Sequence, residues 1–333
     1  MSERQHLLDF MKFAGIFGVI FVHFEWPGIF GSVLSMIGLV GVVLFFIISG
    51  YYSYDKDDEA SSRKYLKHFR KNGIQFLIAL ITYLVVTAVC YLIKGTLADW
   101  IVRFRDPSVY LRMLILGDFD IINGSIFWFM SGLLYSYLVL ALFRKLHIMK
   151  AAYVLMPFLA VLYVFTESYI ATTGGDWHIY CFFPIRALPF VTLGDYIAYR
   201  RDKTPSKSSS TVLFGILAAI SYILTVAAET LVPGGMKVTS VFRVLCATFA
   251  FLFALNYPNR KISKRIEFAG ANYTTHIYLY HFIIGFVIIF FFMPDSQDTW
   301  TIWNILLPFI VFALSLILAE IICKVRSVLK KAK

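Results

Sequence analysis

The chain has 333 residues, of which 59% are hydrophobic and 18% aromatic, while only 15% are charged. Soluble domains run about 45–50% apolar, so a mean hydropathy of +0.73 excludes a water-soluble globule. The net charge of +11 does not signal nucleic acid, because the basic residues form short clusters between apolar runs of membrane-spanning length and so belong to a membrane surface.

Backbone groups inside hydrocarbon must be satisfied within the protein, and runs near 20 residues without two-residue alternation fit helices and not barrel strands. The expected fold is an all-α integral membrane bundle, one transmembrane domain over residues 1–333. The first apolar run carries Lys12 and His23 and lacks a small-residue cleavage site, so it reads as a retained helix and not as a signal peptide. About ten transmembrane helices are predicted, near 7–26, 30–52, 74–93, 124–143, 151–171, 179–199, 210–231, 238–256, 270–292 and 300–323. Residues 97–117 hold Arg103, Arg105, Asp106, Pro107 and Arg112, too much charge to span, and are expected at the outer interface with a short helix near 108–116. Turn residues separate the spans at Glu25 to Gly28, Pro233 to Gly235 and Pro294–Asp295. Neither an internal repeat nor inverted symmetry is evident, which disfavours the commonest transporter architectures.

The distribution of Lys and Arg sets the expected orientation. Of the 31, 23 fall on one side of the predicted spans, five on the other, and three, Lys12, Arg186 and Arg243, inside them. The positive-inside rule then puts both termini in the cytoplasm, which an even number of spans requires.

The four cysteines, Cys90, Cys181, Cys246 and Cys323, lie in apolar runs without a CxxC pair, so neither a disulfide framework nor a cysteine zinc site is expected. GxxxxGK[ST], HExxH, GxSxG and EF-hand patterns are absent, and no metal is expected.

Ionisable groups inside a bilayer are costly, which makes each one a functional candidate. Lys12 and His23 are eleven residues apart, three helical turns plus about 20°, so they share a face and differ by about 16 Å in depth. Asp9 lies one turn below Lys12, and Gly15 and Val19 between them are expected to leave room for a bound molecule. In the alternative reading Lys12 snorkels to the inner headgroups and His23 sits wet at the outer interface. In the ninth predicted helix Tyr278 and His281 share one face, and His276, Tyr273 and Tyr280 another. A neutral histidine satisfied by a neighbouring hydroxyl is the alternative there. Arg186 and Arg243 stay charged and need an anion, a carbonyl or water; a salt bridge to Glu167, Asp118, Asp120 or Glu229 competes with anion binding. Lys67, Arg70 and Lys71, at the entry to the third predicted helix, suit the phosphate oxygens of lipid headgroups or of a cytosolic ligand.

These residues resemble the membrane-bound acyltransferase 3 family. The family's first-helix signature of Asp, then Arg or Lys, ten residues and His is similar to Asp9-Phe-Met-Lys12 followed by His23. Further phrases follow in the family's order: Leu44 to Gly50, Tyr65 to Phe76, Ile126 to Met130 with Trp128, Arg186 to Gly194, and Ile277 to His281. The likeness runs from about residue 9 to 282. Departures are Lys12 where many members have Arg, and Phe69 and Asn72 near positions often held by Arg before the third helix.

The resemblance implies transfer of an acyl group, usually acetyl, from acyl-CoA to a hydroxyl or amine, commonly on an envelope polysaccharide, in the plasma membrane. Acyl-CoA is polyanionic and cytosolic, so its phosphates would meet Lys67, Arg70 and Lys71, with Lys12 further in and the pantetheine arm reaching toward His23. An imidazole with a pKa near about 6.5 suits removal of the acceptor's proton, and the transient acyl carrier is the second role. Arg186, Arg243, Trp128, Tyr278 and His281 would shape the acceptor pocket or hold an oxyanion. A small-molecule transporter, including serine uptake of the kind in some vancomycin-resistance membrane proteins that resemble the same family, is the runner-up, and a receptor or scaffold the third reading.

Overall fold

A computed structural model describes residues 5–203, 211–231, 236–257, 259–292 and 302–331, and among them every regular element is helical. In chain order the helices are α1 (His6–His23), α2 (Gly28–Ser53), α3 (Asp58–Ile93), α4 (Leu97–Val102), α5 (Pro107–Leu116), α6 (Phe127–Lys145), α7 (Met149–Thr173), α8 (Trp177–Tyr180), α9 (Phe183–Arg186), α10 (Leu188–Lys203), α11 (Thr211–Leu231), α12 (Met236–Asn256), α13 (Lys264–Asn272), α14 (Thr274–Phe292) and α15 (Ile302–Lys331). Among the described residues nine helices are long and apolar enough to cross a membrane: α1, α2, α3, α6, α7, α11, α12, α14 and α15. The turns expected at Pro233 to Gly235 and Pro294–Asp295 lie outside the described residues.

The span expected at 179–199 is not one helix. Pro184 is the second residue of α9 and Pro189 the second residue of α10. Each removes a backbone donor and crowds the carbonyl four residues earlier, so the apolar run breaks into α8, α9 and α10. The short helix expected near 108–116 is α5, which starts at Pro107 behind the N-cap Asp106 and stops at Gly117, a left-handed C-cap with φ +68°. The basic stretch 63–71 belongs to α3, whose first turn is capped by the Asp57 carboxylate accepting from Glu59 and Ala60 amides.

The chain divides into two compact units, Met1–Phe45 with Lys207–Lys333, and Phe46–Ser206, so the division falls within α2. In the first unit α1 crosses the start of α2 at glycines. A Cβ on Gly18 would lie 2.3 Å from Gly38 N, and one on Gly38 would lie 2.4 Å from Gly18 C. Only bare backbones reach this separation, the packing that small residues give to helices in lipid. On α15, Phe312 takes the edges of Phe13 and Phe17 at 5.6 and 5.0 Å, and Tyr222 of α11 donates to Val33 O at 2.6 Å.

In the second unit α3 lies against α6, where Ser62 Oγ donates to Ala141 O at 2.9 Å and Tyr83 meets Phe127 at 4.7 Å. The opposite side of α3 leaves Ile74, Leu77, Ile78, Ile81, Val85 and Val89 exposed, and α7 does the same with Val154, Phe158, Val161 and Phe165. Such a density of exposed aliphatic and aromatic side chains fits a lipid solvent and not water.

Candidate active site

His23 is the last residue of α1, after which Phe24 leaves helical geometry while its amide still donates to Ile20 O at 2.8 Å. The His23 ring lies 5.2 Å from that of His281 at 47°, and 5.2 Å from Phe282, edge to face. Both partners come from α14.

His281 is fully buried. Its Nδ1 stands 2.8 Å from Tyr278 O and 3.2 Å from Ile277 O. A carbonyl can only accept, so Nδ1 carries the proton and Nε2 is left with its lone pair. That Nε2 is buried and has no hydrogen-bond partner. Leaving a buried acceptor unsatisfied costs free energy, which marks it as a group awaiting a donor. The Tyr278 ring lies 5.9 Å from His281, so the pair expected to share a face does so.

Lower on α1, Lys12 Nζ donates to Asp9 Oδ1 at 2.8 Å, and the pair is largely buried. Asp9 is held from behind by α13, where a Cβ on Gly270 would fall 1.8 Å from Asp9 O. Arg243 of α12 is buried in the same unit. The room expected at Gly15 and Val19 is filled. Val19 is 2% exposed, and a Cβ on Gly15 would lie 3.1 Å from Gly41 Cα and 3.2 Å from Phe45 Cζ. Gly15 serves close packing of α1 on α2 and leaves no space for a ligand.

Trp128, Arg186, Lys67, Arg70 and Lys71 belong to the second unit. The Arg186 guanidinium lies 4.1 Å from the Trp128 ring and 3.6 Å from the Tyr180 ring, with Cys181 Sγ at 3.9 Å. Cation–π contact with both rings thus stabilises the charge without neutralising it. Of the carboxylates expected to pair with it, Asp118 instead binds Arg112 Nε at 2.7 Å. Lys67, Arg70 and Lys71 are exposed on α3.

One polar centre escaped the sequence reading. Asp195 of α10, fully buried, accepts from Tyr65 at 2.7 Å and Tyr153 at 2.6 Å, and it pairs with Arg144. Arg144 also donates to Asp58 Oδ1 at 2.7 Å and Tyr153 at 3.1 Å. The network ties α3, α6, α7 and α10 together. It borders a cavity of about 530 Å³ walled by charges of both signs, Lys56, Lys150 and Lys203 with Asp58 and Asp202, of which Lys56 pairs with Asp202 at 2.8 Å. The available signal was Asp195 itself, a lone carboxylate inside an apolar run.

A family model described as an acyltransferase domain matches residues 5–323, nearly the whole chain. No curated protein and no solved structure matches it.

Proposed function

From the premise that this chain belongs to the acyltransferase 3 family and is a multi-pass membrane acyltransferase, we propose that it moves an acyl group, acetyl in the first instance, from acyl-CoA to a hydroxyl of an envelope glycan. The observation that carries the site assignment is the His23–His281 pair, with one imidazole at a helix C-terminus and the other holding a bare, buried Nε2.

His23 takes the proton of the acceptor hydroxyl as its oxygen attacks the thioester carbonyl. The C–S bond breaks, the ester C–O bond forms, and the CoA thiolate recovers the proton from the imidazolium. His281 Nε2 supplies the acceptor that a substrate hydroxyl or the His23 N–H requires during turnover, and so acts as a positioning residue. Lys12, held by Asp9, supports the donor side. The exposed Lys67, Arg70 and Lys71 receive the phosphates of CoA. Arg243 and Tyr278 serve acceptor recognition. The excess of Lys and Arg on one side of the spans supports cytoplasmic termini in a plasma membrane.

The family does not favour the transporter alternative. The deciding measurement is made on purified protein in detergent, supplied with acetyl-CoA and a hydroxyl acceptor such as an envelope polysaccharide fragment. Acceptor-dependent release of CoA is expected. Substrate flux in sealed vesicles without CoA consumption would overturn the reading in favour of transport.

A further inference from the structure

Three carboxylates and an imidazole converge where the segment after α5 meets α8. Asp118 follows the left-handed Gly117 that ends α5, Asp120 opens a short 3-10 turn, and His178 is the second residue of α8. None of them belongs to the nine membrane-length helices. His178 is 6% exposed. Its Nδ1 lies 2.9 Å from Asp176 Oδ1, a carboxylate oxygen that can only accept, so Nδ1 carries a proton. Arg112 Nη2 stands 3.3 Å from the same nitrogen, but its shorter bond, 2.7 Å, goes to Asp176 Oδ2.

The other ring nitrogen is the informative one. His178 Nε2 is buried and makes no hydrogen bond of proper geometry. It nevertheless stands 3.3 Å from Asp118 Oδ1 and 3.2 Å from Asp120 Oδ2. An unprotonated Nε2 facing two carboxylate oxygens is repulsive, so the space between them takes a cation, either a metal ion or a proton on the ring. A zinc ion bound tetrahedrally at about 2.0–2.1 Å separates its ligand atoms by about 3.3 Å, close to the spacing found.

We propose that Asp118, Asp120 and His178 form a divalent metal site that takes Zn²⁺. One imidazole and two carboxylates suit that ion, and three protein ligands leave a fourth position for water. The surroundings are those of a built site. Asp176 fixes the His178 tautomer by accepting from Nδ1–H, as carboxylates do behind metal-bound histidines. Arg112 Nε holds Asp118 through Oδ2 at 2.7 Å, leaving Oδ1 toward the site, where it also accepts the Asp120 amide at 3.1 Å. The ion joins the turn after α5 to α8, two residues before Tyr180, whose ring carries Arg186. Its role is to fix that stack. The competing occupant of the same space is a proton. Burial alone lowers the affinity of His178 for one, but the carboxylates of Asp120, Asp176 and Asp118 outweigh it and raise the pKa above the ordinary value.

The test uses the full chain in detergent, purified by a histidine-free tag, stripped with a chelator and titrated with Zn²⁺ alone by calorimetry, with thermal unfolding recorded with and without the ion. The expected result is one Zn²⁺ per chain and a melting temperature raised by the ion. Asp120→Asn and His178→Gln should weaken binding by at least about tenfold and abolish the rise, while His147→Gln leaves both unchanged. Asp120 is half exposed, so its variant keeps the test decisive if His178→Gln fails to fold. No binding by the parent chain, or equal binding by Asp120→Asn, overturns the proposal and assigns the cluster to a protonated His178 among carboxylates. Neither readout depends on acyl transfer.

Discussion

The imidazoles of His23 and His281 lie 5.2 Å apart, and the buried Nε2 of His281 has no donor. A buried acceptor without a donor is tolerated where a ligand or a neighbouring group fills the need in turn.

His23→Ala should reduce acyl transfer by about 10²–10⁴-fold, the usual worth of a general base, while acyl-CoA affinity stays near that of the parent. His23→Gln, which cannot accept and release a proton, should behave alike. His281→Ala should lower turnover less and leave a folded protein. Steady-state rates with parallel measurement of acetyl-CoA binding check this. Near-parental turnover in either His23 variant removes the proposed base.

On the donor side, Lys12→Ala should weaken acyl-CoA binding, and Lys12→Arg should keep part of the activity because the charge beside Asp9 persists. Replacing Lys67, Arg70 and Lys71 together by Ala should raise the dissociation constant for acyl-CoA with little change in membrane-inserted yield. Unchanged affinity in the triple variant would assign these side chains to lipid headgroups.

The α1–α2 crossing gives a stability prediction. Because a Cβ on Gly18 meets backbone at 2.3 Å, Gly18→Val must separate the helices, at a cost of about 1–3 kcal/mol or more. Gly73→Ala is the control: its nearest neighbour would be the flexible tip of Leu134 at 3.9 Å, and removing a helical glycine gains about 0.5–1 kcal/mol. Thermal unfolding in detergent should rank Gly18→Val below the parent and Gly73→Ala at or above it. The reverse order would contradict the close crossing.

Asp195 should be the most sensitive polar residue of the second unit. Asp195→Asn leaves the buried Arg144 without its nearest counter-charge and should cost about 3–5 kcal/mol. Tyr65→Phe removes one hydrogen bond to a charged group, worth about 1.5–3 kcal/mol. An unfolding titration in which Asp195→Asn matches the parent would show that Asp58 alone neutralises Arg144.

Orientation is checked by labelling single cysteines introduced at exposed positions in 55–71 and 200–203, which should be protected in intact cells. Labelling of 200–203 from outside would reverse the expected count of crossings.

What the sequence determined by itself was the material of the fold and the leading residues of the site. Runs of apolar residues near the thickness of a bilayer leave helices as the only economical structure, and that constraint acts locally, so α1, α2, α6, α11 and α14 could be read one segment at a time. The spacing of Lys12 and His23 is likewise a property of one helix. Where two local rules conflicted, the apolar length of 179–199 against Pro184 and Pro189, the prolines prevailed because a missing amide and a ring clash cannot be offset by hydropathy.

Only the tertiary structure decided partners. Gly15 reads as open space along α1, yet the backbone of Gly41 fills it, since which helix packs on which is not encoded in either helix alone. His281 was a candidate on its own face of α14, and only packing of α14 on α1 brought it to His23. Asp195 and Tyr65 lie far in sequence from the Arg144–Tyr153 pair they meet, and His178 lies 58 residues or more from Asp118 and Asp120. No spacing rule joins such residues, because the contacts that unite them form only once the helices carrying them have packed.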